Sequence, residues 1–227
     1  MNNMIHLNDR LNHSPKKLML KLSILILIVI FMLLALNLRS GFIGDINNLV
    51  NTRITTIEHP LFIEISRIIS VIFDTYGVIL ISAAAFIYLF LKGKRKESLI
   101  FASMIVLSSL SVTLLKNIFL VARPINELMM ETDFSFPSGH SSIAVVLFGF
   151  LAYFVIKQNK NNKNDKIIRF IILIISAIGI LIVAFSRLYL NVHWISDVIG
   201  GLIIGTIWLL LAILLLKKES RYKQIRI

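Results

Sequence analysis

Residues 167–216 read IIRFIILIISAIGILIVAFSRLYLNVHWISDVIGGLIIGTIWLLLAILLL, and this stretch decides the fold. Two apolar runs, Ile167–Phe185 and Val198–Leu216, flank a short insert that holds Ser186, Arg187, His193 and Asp197. A bilayer core about 30 Å thick is crossed by roughly 20 apolar residues in helix, so each run approaches one membrane span. Comparable runs lie at Leu22–Leu38, Tyr76–Leu91, Ser98–Leu115 and Ser141–Ile156, which makes six. The predicted fold is therefore all-α, a six-span transmembrane helical bundle, with both termini on one side because the count is even.

Composition supports this reading and removes others. Of 227 residues, 57% are apolar, against about 45–50% for soluble domains. The 24 Lys+Arg outnumber the 12 Asp+Glu to give a net charge of +12, a surplus that marks either nucleic acid or a membrane surface. These cations alternate with the apolar runs instead of gathering in one segment, which is the membrane pattern and speaks against nucleic acid. No cysteine is present, so disulfides and thiolate chemistry are excluded.

Charge placement orients the bundle. Eighteen of the 24 basic residues fall in the N-terminal tail (Arg10, Lys16, Lys17, Lys21), the loop after span two (Lys92, Lys94, Arg95, Lys96), the loop after span four (Lys157, Lys160, Lys163, Lys166, Arg169) and the C-terminal tail (Lys217, Lys218, Arg221, Lys223, Arg226). Six fall on the other side: Arg39, Arg53, Arg67, Lys116, Arg123 and Arg187. The positive-inside rule then makes both termini cytoplasmic and places the second set outside, and the Lys- and Asn-rich loops fit a bacterial plasma membrane. Residues 1–21 form a cytoplasmic tail, 22–216 the six-span domain, and 217–227 a cytoplasmic basic tail. Span one is read as an uncleaved anchor. Leu22–Leu36 already fills the length of a signal core without a break, and Ala35-Leu36-Asn37 is a poor cleavage site.

Between spans one and two lies a segment that is not a span. Ile46, Leu49, Val50, Ile54 and Ile57, then after Pro60 Leu61, Ile65, Ile68, Ile69 and Ile72, recur at helical spacing among charged residues. They read as two short amphipathic helices at the membrane interface, serving either to cap the bundle or to wall a lipid entrance.

The polar residues gather at three places, and the orientation puts all three outside. Lys116 and Arg123 are seven apart, so a helix continuing past span three would carry both on one face, ended by Pro124. Pro137-Ser138-Gly139-His140 leads into span four. Gly139 allows close approach of an anion to the backbone, Ser138 offers a hydroxyl, and the opening amides face outward at the positive end of a helix; a simple helix cap would look the same. His193 and Asp197 are four apart, so one helical face carries both. A carboxylate accepting one imidazole N–H leaves the other nitrogen as a nucleophile. His6 and His13 in the tail and His59 before Pro60 lack such company, and Glu127, Glu131 and Asp133 lie in the external loop, either tuning substrate or keeping the loop soluble.

Together, Lys116-x6-Arg123-Pro124, Pro137-Ser138-Gly139-His140 and Ser186-Arg187-x5-His193-x3-Asp197 resemble the tripartite motif of the type 2 phosphatidic acid phosphatase superfamily, with every motif position filled. The resemblance implies a metal-independent membrane lipid phosphatase without a cofactor, whose partners are a lipid phosphate and membrane lipids. It implies His193 as nucleophile oriented by Asp197, His140 as acid and base, and a phosphate held by Lys116, Arg123, Ser138, Gly139, Arg187 and, with less support from position, Ser186. A pocket facing the outer leaflet favours undecaprenyl diphosphate, recycled in cell wall biosynthesis, with phosphatidylglycerophosphate or phosphatidate as the alternative. A transporter would show broken polar helices and an inverted repeat, neither of which is visible. A scaffold would not require the complete motif.

Overall fold

A computed structural model describes residues 15–158 and 165–225. His6, His13 and the parts of the tails and of the loop 157–166 beyond those limits lie outside the described residues. Eight helices follow in order: α1 Pro15–Leu36, α2 Gly41–Thr55, α3 Pro60–Ile72, α4 Thr75–Leu91, α5 Arg95–Phe119, α6 Gly139–Gln158, α7 Asp165–Tyr189 and α8 Ile195–Ile225. The expected all-α bundle is found, with helices running past the sequence boundaries: α1 begins inside the tail 1–21 and α8 continues into the tail 217–227 as far as Ile225.

Five of these helices, α1, α5, α6, α7 and α8, are long and apolar enough to cross a membrane. The 17 residues of α4 span only about 25 Å at 1.5 Å per residue. It joins α3 at a bend of 58°, and the bent pair supplies a sixth crossing if taken as one unit. Helix α6 forms the hub, packed against α5, α7 and α8. More than half of its most apolar window (56%) is buried, against 11% in α1 and α7, so α1 and α7 turn their apolar surface outward to lipid while α6 is enclosed by protein. One core cluster joins Phe101, Val146, Phe150 and Ala212; a second joins Phe31, Val112, Phe136 and Ile204.

Close approach of α6 and α8 positions the polar residues at the ends of these helices where Ser138 and Asp197 lie. A Cβ on Gly201 would stand 2.3 Å from the Ser138 carbonyl oxygen, and one on Gly205 would stand 2.4 Å from that of Ser142. Small residues one turn apart let two backbones touch, the usual device where lipid offers no hydrophobic drive for helix pairing. The Ser138 amide donates to the Asp197 carbonyl across this seam at 2.9 Å, and Ser108 and Ser142 hydroxyls bond at 2.8 Å between α5 and α6.

In α3 the small polar residues face the protein and the apolar ones face out. Ser66 and Ser70 are buried, whereas Leu61, Ile65, Ile68 and Ile72 are exposed. In a membrane the apolar face belongs to lipid, so burial falls to the residues small enough to pack closely. Helix α2 behaves alike, burying Asn47 while Leu49 is exposed.

Gly201→Ala places a methyl against backbone that cannot yield. The substitution is expected to cost about 1–3 kcal/mol, seen as a lowered unfolding temperature in detergent; an unchanged midpoint would refute the close-packed seam.

Candidate active site

Helix α5 ends earlier than the spacing of Lys116 and Arg123 predicts. Its last residue is Phe119, and Leu120 caps it in the left-handed conformation, φ 51°, its amide bonded to the Lys116 carbonyl. The chain therefore leaves the helix before Arg123, and the two cations do not share a helical face. They converge by a different route. Arg123 is held by the loop it stands on and by the α7–α8 connection, its Nε donating to the Asp133 carbonyl at 2.9 Å and Nη1 to the Val192 carbonyl at 2.6 Å.

A cavity of about 640 Å³ is lined at its polar end by Lys116, Arg123, Glu131, Asp133, Gly139, His140, Arg187 and His193. Sequence segments far apart thus meet in one place. From there the lining is mainly apolar, with Ser82, Ser109 and Thr113 interspersed, and follows the seam between α4 and α5 through Val78, Ile79, Ile105 and Val106 to Phe86 and Ala102. Ala102 lies 14 residues before Lys116, or about 21 Å down the helix axis.

His193 sits in the connection between α7 and α8. Its Nδ1 is 3.2 Å from Asp197 Oδ2, which also accepts the Trp194 amide at 2.8 Å. Asp197 is fully buried behind the imidazole and does not itself line the cavity. The bond commits Nδ1 to the carboxylate and leaves Nε2 for the cavity. Burial, then the charges of Arg187, Arg123 and Lys116, hold the His193 imidazole well below its ordinary value, so the ring is neutral and its free nitrogen carries a lone pair.

His140 opens α6, its Nε2 3.2 Å from the Ser70 carbonyl oxygen of α3. Arg187, near the end of α7, is completely buried; it donates from Nη1 to the Ser70 hydroxyl and from Nη2 to Glu131. Gly139 faces the cavity, and a Cβ there would meet only the Val112 side chain, at 3.6 Å. Two expected phosphate ligands are placed elsewhere. The Ser138 hydroxyl is buried at the start of α6, accepting from the Ser141 amide at 3.5 Å and bonding the Ser141 hydroxyl at 3.1 Å. Ser186 donates to the Val183 carbonyl of its own helix at 2.8 Å. Neither lines the cavity.

Residues that spacing did not single out build the frame. Asn191, in the left-handed region at φ 55°, donates to the Ile125 carbonyl at 2.8 Å and accepts from Asn51 of α2. Asn47 accepts the Ser196 amide at 3.1 Å, capping the start of α8. The Tyr189 hydroxyl accepts from the His59 amide at 2.9 Å and donates to the Ile57 carbonyl at 2.8 Å. The segment between spans one and two is thus bolted to the connection that carries His193. The available signal was a pair of polar residues one helical turn apart on each helix: Asn47 and Asn51 in α2, Ser66 and Ser70 in α3. Glu131 and Asp133 also prove to be part of the cavity wall.

A family model described as the PAP2 superfamily matches residues 97–221, from α5 through most of α8. Phosphatidylglycerophosphatase B of Bacillus subtilis (strain 168) is 34% identical over 97 residues, which are 43% of this chain and 46% of that protein. The chain thus spans about half the length of the curated relative it matches. The crystal structure of a transmembrane PAP2 type phosphatidylglycerolphosphate phosphatase from Bacillus subtilis aligns with 86% of this chain and 96% of that one, at 25% identity and a TM-score of 0.73. Aquifex aeolicus LpxE shares the fold at 22% identity, covering 74% of this chain and 93% of that one, with a TM-score of 0.57. The chain is a multi-pass membrane protein.

The neutral, buried His193 has a consequence for stability. The native ring resists the proton that the unfolded chain accepts as pH falls below about 6.5, so acidification through that value favours unfolding. In detergent, the unfolding temperature of wild type should drop more between pH 7 and pH 5 than that of His193→Gln. Equal drops would argue against a depressed imidazole.

Proposed function

The chain belongs to the PAP2 superfamily, and on that premise we propose that it is an integral membrane phosphatase that removes a phosphate from a lipid at the outer leaflet. The observation that carries this reading is the form of the cavity, in which two histidines and three cations at one end continue into an apolar seam at the other. A phosphate headgroup fits the first and a lipid chain the second; a water-soluble phosphate ester would have no use for the seam.

The chemistry follows from the positions of the groups. Lys116, Arg123 and Arg187, with the Gly139 end of α6, balance the charge on the nonbridging phosphoryl oxygens. His193 Nε2 attacks phosphorus, forming a nitrogen–phosphorus bond as the bond to the lipid oxygen breaks. Asp197 holds Nδ1–H and stabilises the charge that develops on the ring. His140 delivers a proton to the leaving oxygen, then takes one from the water that attacks the phosphohistidine, releasing inorganic phosphate and restoring both histidines. The Ser70 carbonyl accepts from Nε2–H of His140 and leaves Nδ1 for that exchange; the phosphate anion seated beside the ring draws a second proton onto Nδ1, which is the one delivered to the leaving oxygen and regained from water. Ser138 acts through the start of α6, which it caps. The cationic clamp performs the charge balance that other phosphoryl-transfer enzymes obtain from metal ions.

Both Bacillus subtilis relatives carry phosphatidylglycerophosphate in their names, and this moves that lipid ahead of undecaprenyl diphosphate as the substrate. A panel of phosphatidylglycerophosphate, phosphatidate and undecaprenyl diphosphate, assayed in EDTA, is expected to show phosphate release by wild type. His193→Ala should lower it on the order of a thousandfold or more; near-normal release from that variant would end the proposed mechanism. Gly139→Ala provides a finer check. Its methyl enters cavity space and touches the protein only lightly, so kcat/KM should fall on the order of tenfold to a hundredfold with the unfolding temperature retained. Full activity would remove Gly139 from the phosphate site.

A further inference from the structure

Two carboxylates stand among the three cations. Asp133 spans Lys116 and Arg123, with one oxygen 2.5 Å from Lys116 Nζ and the other on Arg123 Nη2. Glu131 accepts from Arg187 Nη2, its second oxygen 3.7 Å from Arg123 Nη2. All five groups line the cavity beside His193. A carboxylate bridging Lys116 and Arg123 holds the positions that two nonbridging phosphoryl oxygens need. Phosphate binding at this clamp is therefore an exchange of anions.

Exposure identifies which anion can leave. The side chains of Lys116 and Arg123 are 10% and 8% exposed, and that of Asp133 is 54% exposed. The cations are enclosed, whereas Asp133 reaches in from the loop between α5 and α6 and is exposed enough to withdraw to water when another anion takes its place on the cations. Burial acts to raise its carboxyl, but the hydrogen bonds and charges of Lys116 and Arg123 outweigh this and keep it ionised. We propose that Asp133 is a specificity-determining residue, a tethered competitor that yields the seat between Lys116 and Arg123 to phosphomonoesters and diphosphates and refuses phosphodiesters.

The discrimination follows from charge and geometry. A phosphodiester carries one negative charge and two nonbridging oxygens, like the carboxylate it would displace, so the exchange yields little and must also overcome the high effective concentration of a tethered group. A phosphomonoester carries about −1.5 to −2 near neutral pH and has a third oxygen for Arg187. Its stronger attraction to the clamp makes the exchange favourable. Phosphodiesters are the bulk lipids of a bilayer, so an unguarded three-cation site facing the membrane would be filled by them.

This inference rests on the phosphatase reading above, and the test separates the two. The purified full-length chain, in mixed micelles, hydrolyses phosphatidate in the presence of increasing phosphatidylglycerol, a phosphodiester lipid, with neutral detergent matching the dilution. Each variant's own uninhibited rate is the reference. Asp133→Asn is expected to lower the inhibition constant of phosphatidylglycerol by roughly tenfold or more, and Asp133→Glu, which keeps the charge, should resist the phosphodiester as wild type does. Tighter binding of an inhibitor is a gain that a merely loosened loop would not produce. An inhibition constant unchanged in Asp133→Asn overturns the role of Asp133 alone. Absence of phosphate release by wild type from every lipid phosphate overturns the phosphatase reading.

Discussion

Three cations, Lys116, Arg123 and Arg187, are brought into one partly desolvated cavity. Two like unit charges 4 Å apart in surroundings of effective dielectric about 20 repel by about 4 kcal/mol, so such a cluster exists only where the rest of the structure compensates it. The compensation is visible group by group. Asp133 answers Lys116 and Arg123, Glu131 answers Arg187, and the Val192 carbonyl and Ser70 hydroxyl each accept one further donor, while the buried Nε of Arg187 has no hydrogen-bond partner among the described residues. The same positive field, added to burial, keeps His193 neutral. One electrostatic constraint therefore supplies the anion seat, the counterions within it and the protonation state of the nucleophile.

Holding that cluster requires a rigid floor, and the α6–α8 seam provides it. Gly201 and Gly205 let α8 lie against the backbone of Ser138 and Ser142, and the Ser138 amide meets the Asp197 carbonyl across the contact. The residues of two motifs are thus locked to one another before any ligand is considered. Ser138 contributes here by accepting from the Ser141 amide at the start of α6; Ser186 bonds back to the Val183 carbonyl within α7. Helices α2 and α3 form the wall: Asn47 and Asn51 hold the His193 connection, and Ser70 touches both Arg187 and His140. The two roles considered for this segment, cap and lipid entrance, are joined by a third, since it supplies partners to site residues.

Much of this was readable before any fold was known. The six apolar runs correspond to helices because the length that crosses a bilayer is a property of consecutive residues. The pairing of His193 with Asp197 was readable from their four-residue spacing, but not by the expected shared helical face: His193 stands two residues before α8 begins, and Asp197 reaches back to it from the first turn of that helix. The expectation for Lys116 and Arg123 failed because it extended a helix by periodicity alone, while Leu120 took the left-handed conformation and ended it. Asp133 and Glu131 were visible as acidic residues near the site, but only their loop's path, unconstrained by any periodicity, reveals them seated on the cations.

The sequence by itself determined the composition of the spans, the orientation that the charges favour and the inventory of reactive groups, because these depend on residue type and local spacing. Tertiary structure decided which groups meet. It turned the serines of α3 inward, carried Arg123 to Lys116 through a loop, withdrew Ser138 and Ser186 from the cavity and set Asp133 within it. Some of those outcomes depend on contacts far apart in the chain, such as Ser70 with Arg187, 117 positions away, and others, such as Asp133 with Lys116, 17 positions away, on the path of a loop that has no regular period; chain spacing records neither.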